Sequence, residues 1–223
     1  MAAAVGIDGY PRGWVAARRQ DDAVTWATAS IDEVAALWSD SDIVGIDIPI
    51  GLVERGVRAC DRAAQAHLGA ASSTVFTTPP RPVLEAHLSP EATPSRTQSL
   101  SRELTGQGTT PFALALARRI LAVDAVAADN PDLIEVHPEC AFRAMAPDTQ
   151  FHPKSSARGV IQRMTALATW LPDVDALLAD APPRVPIEDA LDALAALWSA
   201  QRWRARTAQT LPADATDRPF IAF

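Results

Sequence analysis

Two short apolar runs in the sequence each end in an aspartate. They occupy residues 3–8 and 43–47, and both contain the tetrapeptide Val-Gly-Ile-Asp. Apolar runs of four to eight residues next to turn-forming residues are typical of strands, and a continuously apolar run is typical of a strand buried on both faces. The pattern therefore predicts two central strands, and the second is expected to continue over residues 44–52.

The segment between these runs has the alternation expected of further strands. Residues 9–13, Gly-Tyr-Pro-Arg-Gly, form a hairpin signature, and residues 14–19 and 24–29 follow as two strand-like segments. Ser30 and Glu33 have the spacing of a capping box, which predicts a helix through Trp38. A right-handed crossover through this helix brings the fourth strand beside the first.

The rest of the chain is mostly helical. Residues 133–137 predict a fifth strand, and the paired prolines at 79 and 80 predict irregular structure over residues 72–82. Helices are expected at residues 58–70, 111–129, 138–145 and 187–207, with another ending at Trp170 and a short edge strand at 220–223. We therefore expect an α/β fold: a mixed five-stranded sheet, made of a three-stranded antiparallel meander plus two parallel strands, flanked by helices.

Length and composition limit the organisation and the partners. The 223 residues are enough for one domain (1–223), within which residues 54–110 form a helical and loop-rich insertion after strand four. A net charge of −7 excludes a globally basic nucleic-acid-binding surface but leaves room for a local arginine-lined groove. No segment approaches a membrane span and no signal peptide is recognisable, so we expect a cytoplasmic protein that does not bind membranes.

The two Val-Gly-Ile-Asp strands have a chemical consequence. Backbones of neighbouring parallel strands lie about 4.8 Å apart, so Asp8 and Asp47 are expected to lie side by side. Two ionised carboxylates at that distance repel each other, which a raised pKa or a bound cation offsets. The alternative is that each aspartate only accepts hydrogen bonds from loop amides at its strand end.

A second group of acids lies in the first turns of the predicted C-terminal helix. Asp189 and Asp192 are three residues apart and share a helix face with Ala193 and Ala196, so this face is able to lie close to a sheet. The alternative is that acidic residues near a helix N-terminus only interact favourably with the helix dipole.

The order of these four acids along the chain resembles the ribonuclease H-like superfamily, in particular its Holliday-junction resolvase branch. The helix Asp189-Ala-Leu-Asp192-Ala-Leu-Ala matches the helix motif of that branch, and Glu135-Val-His-Pro138 and Lys154 match further elements. A closer resemblance covers nearly the whole chain. The segments Gly-Ile-Asp-Gly, Asp-Ile-Pro-Ile-Gly-Leu, Cys-Asp-Arg-Ala-Ala, Ser-Ser-x-Val-Phe-x-x-Pro-Pro-Arg and Glu-Val-His-Pro-Glu resemble the bacterial family known as domain of unknown function 429, which is described as a predicted nuclease.

The resemblance implies a divalent-metal-dependent nuclease that hydrolyses phosphodiester bonds with two Mg²⁺ or Mn²⁺ ions. Asp8 would bridge the ions, and Asp47 with Asp189 or Asp192 would complete their ligands. Glu135 is either an outer ligand or a residue that orients Arg58 or Arg62, and the sequence does not decide between Glu135 and Glu139 at the site. The candidate catalytic residues are therefore Asp8, Asp47, Glu135, Asp189 and Asp192, and all of these except Glu135 are the candidate metal ligands.

The expected partner of such a site is a nucleic acid or a nucleotide. Arg58, Arg62, Arg81 and Lys154 are the candidates for phosphate contact, because arginine offers a bidentate fork and lysine a point charge. Arg58 and Arg62 are four residues apart, which predicts that they share a helix face. The alternative function is a catalytically silent ribonuclease H-like module that binds a nucleotide, a nucleic acid or a protein partner.

Overall fold

The chain divides into two compact units in the computed structural model, which describes residues 3–40, 42–213 and 215–223. The first unit comprises the described residues up to Ile48, together with Asn130–Gln209 and Ala222–Phe223. The second comprises Pro49–Asp129 and the described residues of Thr210–Ile221. It contains the whole of the predicted insertion at 54–110 and extends beyond it at both ends.

The first unit is built on a mixed five-stranded sheet. Its strands are β1 (Ala4–Tyr10), β2 (Gly13–Gln20), β3 (Ala23–Ala29), β4 (Ile43–Ile46) and β5 (Leu133–Glu135), arranged in the order β3-β2-β1-β4-β5. The pairs β1–β2 and β2–β3 are antiparallel, whereas β1–β4 and β4–β5 are parallel. The predicted fold class, a meander plus two parallel strands flanked by helices, is confirmed.

The helices follow in chain order after the meander. They are α1 (Ala59–Leu68), α2 (Arg81–Leu88), α3 (Pro94–Thr105), α4 (Pro111–Ala115), α5 (Ala117–Ala127), α6 (Pro138–Met145), α7 (Ala157–Ala168), α8 (Val174–Ala179) and α9 (Ile187–Arg204). Two 3₁₀ helices, Ile31–Leu37 and Gly69–Thr74, and two short strands, β6 (Thr210–Leu211) and β7 (Ile221–Ala222), complete the described elements. No helix in the described part of the chain is long and apolar enough to cross a lipid bilayer.

Helix α9 packs on the sheet because two glycines leave room for its backbone. A Cβ atom on Gly6 would lie 2.0 Å from the amide nitrogen of Leu197 and 2.2 Å from the carbonyl oxygen of Ala193. A Cβ atom on Gly45 would lie 2.5 Å from the carbonyl oxygen of Ala196. Glycine at the same place in both Val-Gly-Ile-Asp strands therefore sets how closely α9 approaches β1 and β4.

Several predicted boundaries were wrong for local reasons. Strand β4 ends at Ile46 instead of residue 52, since Pro49 lacks an amide donor and Gly51 has a φ of 78°. The predicted helix over 111–129 is interrupted at Leu116, and the predicted irregular segment 72–82 contains the end of one 3₁₀ helix and the start of α2. Continuous apolar patterns therefore overestimated the length of β4 and of the helix over 111–129, whereas the paired prolines overestimated the irregular segment.

The predicted capping box after β3 is only partly formed. The element that follows Ser30 is a 3₁₀ helix with non-helical backbone angles at Glu33. The Ser30 hydroxyl donates to the Glu33 carboxylate at 2.7 Å, and the Ser30 side chain makes no capping hydrogen bond to the backbone. The predicted helix is therefore present as a 3₁₀ helix that ends at Leu37, one residue before Trp38.

The C-terminal residues complete the first unit. Ala222 forms an isolated parallel bridge with Val136, and Phe223 exchanges two backbone hydrogen bonds with Gln209, at 2.8 and 3.0 Å. The short strand expected at 220–223 is present as β7, Ile221–Ala222. Helix α9 ends at Arg204, three residues before the predicted end, and Arg206 follows with a φ of 57°.

Candidate metal centre

Three aspartates of the first unit bring their carboxyl groups together. One oxygen each of Asp8, Asp47 and Asp192 lies within 4.8 Å of the other two. Asp8 belongs to β1, Asp47 directly follows β4, and Asp192 lies in α9. Three elements that are far apart in sequence thus form one acidic cluster.

The strand register explains the two strand aspartates. Ile7 pairs with Ile46 in the parallel ladder, and the amide of Asp47 donates to the carbonyl of Ile7 at 2.9 Å. Asp8 and Asp47 therefore take equivalent positions where the pairing of β1 and β4 ends. Asp192 precedes Ala193, whose carbonyl lies against Gly6, so the close approach of α9 carries Asp192 to the same place.

The cluster is buried, which makes its negative charge costly. Asp8 is 6% exposed and Asp192 is 2% exposed. Burial, followed by the charges of Asp47, Asp192 and Asp189, raises the pKa of Asp8 well above its ordinary value. Burial and the charge of Asp192 raise the pKa of Asp47 to about 7.

Lys154 supplies a positive charge to this cluster. Its Nζ lies 2.5 Å from Oδ2 of Asp192, and its side chain remains 44% exposed. Burial by itself lowers the pKa of Lys154, but Asp192, Asp47 and Asp8 outweigh that effect and raise it. In return, burial raises the pKa of Asp192 and the ammonium of Lys154 opposes the rise.

A buried arginine holds the loop that carries Lys154. Arg163 in α7 is 3% exposed, forms an ion pair with Glu139, and donates to the carbonyl oxygens of His152 and Gly159 at 3.0 Å each. Its guanidinium also lies over the ring of Phe151, 5.3 Å from the ring centroid. The role of Arg163 is not readable from the sequence, because its partners come from separate segments of the chain.

Two further glutamates were candidates for this site. Glu135, at the end of β5, is 5% exposed and is not one of the three residues whose carboxyl oxygens meet. Glu139, at the start of α6, is near enough to raise the pKa of both Asp47 and Asp192. Glu139 therefore belongs to the electrostatic environment of Asp47 and Asp192.

Asp189 lies at the edge of the cluster. It is half-buried, one turn of α9 before Asp192, and its charge contributes to the raised pKa of both Asp8 and Asp47. It is not among the three residues whose oxygens lie within 4.8 Å of one another. Its position suits an outer ligand better than a central one.

The donor set fits a hard divalent cation. All three converging groups are carboxylates, the ligands that Mg²⁺ and Mn²⁺ prefer. Oδ1 of Asp192 is buried and has no hydrogen-bond partner, although a buried acceptor of this kind is normally satisfied. Three carboxylates and one ammonium leave two negative charges, which one divalent cation balances.

The other predicted basic residues lie in the second unit. Arg58 is 2% exposed, and its guanidinium forms an ion pair with Asp61 and donates to the carbonyl of Ile50 at 2.9 Å. This burial and pairing argue against a phosphate contact. The expectation that Arg58 and Arg62 share a helix face was wrong, because Arg58 precedes α1 and has an extended backbone, with a ψ of 136°.

Arg62 and Arg81 differ in how they are used. Arg62 is exposed on α1. Arg81 forms an ion pair with Asp124, whose other oxygen accepts the amides of Gly51 and Leu52 at 2.7 and 3.1 Å. Arg81 therefore stabilises the loop after β4, and Arg62 is the more accessible of the two.

The fold and the cluster define an α/β protein with three convergent carboxyl groups where two parallel strands of a mixed sheet end. The chain belongs to the family described as protein of unknown function (DUF429), whose model matches residues 6–217. The resemblance to this family seen in the sequence motifs is confirmed. No curated protein and no solved structure matches this chain.

Proposed function

We propose that this protein is a ribonuclease H-like, divalent-metal-dependent nuclease. The observation that carries the proposal is the convergence of Asp8, Asp47 and Asp192 within 4.8 Å, together with the unpartnered, buried Oδ1 of Asp192. Carboxylates that meet in a buried place repel one another, and either protonation or a bound cation offsets the repulsion. A divalent cation with a phosphodiester substrate accounts for both features.

The roles of the residues follow from their positions. Asp8, Asp47 and Asp192 would hold Mg²⁺ or Mn²⁺, and Asp189 is the candidate additional ligand for a second ion. When bound, the ions would polarise the phosphodiester and lower the pKa of the attacking water. Lys154 orients Asp192 through Oδ2, which leaves Oδ1 for the cation.

Phosphate contacts would come from the exposed cations. Lys154 is the candidate cation of the first unit, because its side chain is 44% exposed beside the acids. An acidic protein with a net charge of −7 has to concentrate positive charge locally in order to hold a polyanion. The proposed substrates are nucleic acids or nucleotides.

The test is metal-dependent cleavage of a labelled panel of single-stranded, double-stranded and branched DNA and RNA. Wild type is expected to cleave at least one substrate with Mg²⁺ or Mn²⁺ and none in EDTA. Asp8→Asn is expected to lose cleavage. Asp175→Asn, the same change at an exposed position of α8, is the matched control and should keep it. Loss of cleavage in both variants would contradict the proposed role of Asp8.

A second candidate is a catalytically silent module that binds nucleic acid, a nucleotide or a protein. The ion pair between Lys154 and Asp192 favours it, because an ammonium already neutralises part of the charge that would attract a metal ion. Binding of nucleic acid without cleavage by wild type in either metal would support this second candidate over the nuclease.

A further inference from the structure

The second unit contains a pocket of its own, with a volume of about 510 Å³. Its walls are formed by α1, α3, the segment around residues 73–79 and the segment around residues 107–112. None of the described residues that line it carries a charge, and most of them bear hydroxyl or amide groups. The volume lies in the range of small-molecule sites, and the lining favours an uncharged ligand.

Internal hydrogen bonds hold the two loop walls in place. The Gln65 side-chain amide donates to the carbonyl of Val75 at 3.0 Å, and the amide of Thr78 donates to Asp61 at 2.8 Å. On the other side, Gln98 donates to the carbonyl of Thr109 at 2.7 Å and accepts from its amide at 3.2 Å. The pocket is therefore preformed, which reduces the entropy lost when a ligand binds.

Two hydroxyl groups of the lining lack a partner inside the protein. Thr78 is 1% exposed, and its Oγ1 is buried without a hydrogen-bond partner, as is Oγ1 of Thr109. Each hydroxyl is able to donate one hydrogen bond and accept others. Both threonines are among the residues that line the pocket, which makes polar groups on the edge of a ligand the partners that we propose for them.

The same pocket also presents aromatic surface. The rings of Phe76 and Phe112 meet edge to face, with centroids 5.6 Å apart and planes at 79°. Phe112 is 63% exposed, so much of its ring surface is open to a ligand. An exposed ring beside uncharged donors and acceptors suits a flat ring with polar edge groups.

We propose that this pocket binds a neutral, planar heteroaromatic ring with hydrogen-bonding edge groups, of the class to which nucleobases belong. The ring stacks on Phe112, and its edge bonds the hydroxyls of Thr78 and Thr109. The choice of a nucleobase among such rings rests on the proposed nuclease function. The proposal that the pocket binds a neutral planar ring rests only on the geometry and the lining of the pocket.

The experiment measures binding of uncharged nucleosides to the full chain by calorimetry and ligand-observed NMR, in EDTA. Adenosine, guanosine, cytidine and uridine are the probes, and ribose and inorganic phosphate are the negative controls. We expect at least one nucleoside to bind without metal, while ribose and phosphate do not. Phe112→Ala should weaken that binding about tenfold, as stacked bases lose affinity when an aromatic side chain is removed.

Thr78→Val tests the unpartnered hydroxyl with nearly the same volume and should weaken binding about fivefold, the loss expected for one hydrogen bond. Leu88→Ala, which removes a 48% exposed apolar side chain from the same unit outside the lining residues, is the matched control and should leave affinity unchanged. If Thr78→Val does not fold, Phe112→Ala decides the question, because its side chain is mostly exposed.

Two results would overturn the inference. One is the absence of nucleoside binding up to the solubility limit, or binding of ribose alone. The other is unchanged nucleoside affinity in folded Phe112→Ala. The test of the pocket is independent of the test of the metal centre. Nucleoside binding in EDTA without cleavage by wild type would support the pocket and reject the nuclease. Cleavage without nucleoside binding would support the nuclease and reject the pocket.

Discussion

Lys154 donates to only one of the two carboxyl oxygens of Asp192. Its Nζ lies 2.5 Å from Oδ2, while Oδ1 of the same group is buried without a hydrogen-bond partner. The ammonium therefore partly neutralises Asp192 and fixes its orientation, and it leaves one acceptor directed to other ligands.

Divalent cations are expected to stabilise the folded protein, because at the proposed metal centre they would bind the three convergent carboxylates only when the chain is folded. At a concentration 100 times the dissociation constant, the free energy of unfolding should rise by about 2.7 kcal/mol. Thermal unfolding in Mg²⁺, Mn²⁺ and EDTA measures the effect. Asp8→Asn should show a smaller shift and Asp175→Asn the full shift; equal shifts in wild type and Asp8→Asn would contradict metal binding at this cluster.

The metal-free protein should lose stability as the pH rises. The pKa of Asp47 is about 7 in the folded chain and 3.8 as its ordinary value, so the folded state binds more protons between these values. The stability that the folded chain gains by binding this proton at Asp47 is fully present below about pH 4 and is lost as the pH rises through about 7. Denaturant titrations in EDTA from pH 5 to 8 measure the effect.

Asp47→Asn isolates this contribution, because the amide does not ionise. Its free energy of unfolding, relative to wild type, should increase with pH by on the order of 1 to 3 kcal/mol. For the same reason, metal affinity in wild type should increase from pH 5 to 8, as protons no longer compete with the cation. If the difference in free energy of unfolding between Asp47→Asn and wild type does not change from pH 5 to 8, Asp47 is ionised over that whole range.

Removal of the Lys154 ammonium should increase the free-energy cost of burying the acidic cluster. We expect Lys154→Met to lower the free energy of unfolding of the metal-free protein by about 1 to 2 kcal/mol, because Asp192 loses its only close cation among the described ion pairs. Mg²⁺ should recover part of this loss. Lys154→Arg keeps the charge and is the control, and equal stability of Lys154→Met and wild type would show that the ion pair is energetically neutral.

Arg163 is expected to hold Lys154 through the loop. Arg163→Met should cost about 3 kcal/mol, because Glu139 and the carbonyls of His152 and Gly159 lose a buried partner. Hydrogen exchange of the amides at 152–156 should become faster. Arg158→Met, an exposed position in the same helix, is the matched control. Unchanged exchange in Arg163→Met would show that the loop is held by other contacts.

Gly6 should tolerate no side chain. The Cβ of Gly6→Ala would lie 2.0 Å from the Leu197 amide, so we expect a loss of about 3 kcal/mol or more as α9 is displaced from β1. Metal affinity should fall as well, since Asp192 moves with the helix. Gly69→Ala has no atom within 4 Å but a φ of 54°, so its smaller loss in a denaturant titration measures backbone strain alone.

The local pattern of the sequence was enough for the core of the fold. The sequence pattern predicted strands β1 to β4 from two Val-Gly-Ile-Asp runs, a hairpin and an alternating meander. It also predicted that β4 lies parallel to β1, because the handedness of a crossover connection follows a general rule. The same runs singled out Asp8 and Asp47 as neighbours, and the three-residue spacing of Asp189 and Asp192 placed both on one face of α9. Family membership was also readable from motifs.

Tertiary structure decided which of these groups meet. By their spacing alone, Asp189 and Asp192 are equally good candidate ligands on one face of α9. The contact of α9 with Gly6 and Gly45 brings Asp192 into the cluster and leaves Asp189 at its edge. In the same way, the sequence showed Arg58 only as a cation, and folding buried it against Asp61. Packing between distant segments sets burial and pairing, and these determine whether a charged side chain binds a ligand or holds the fold together.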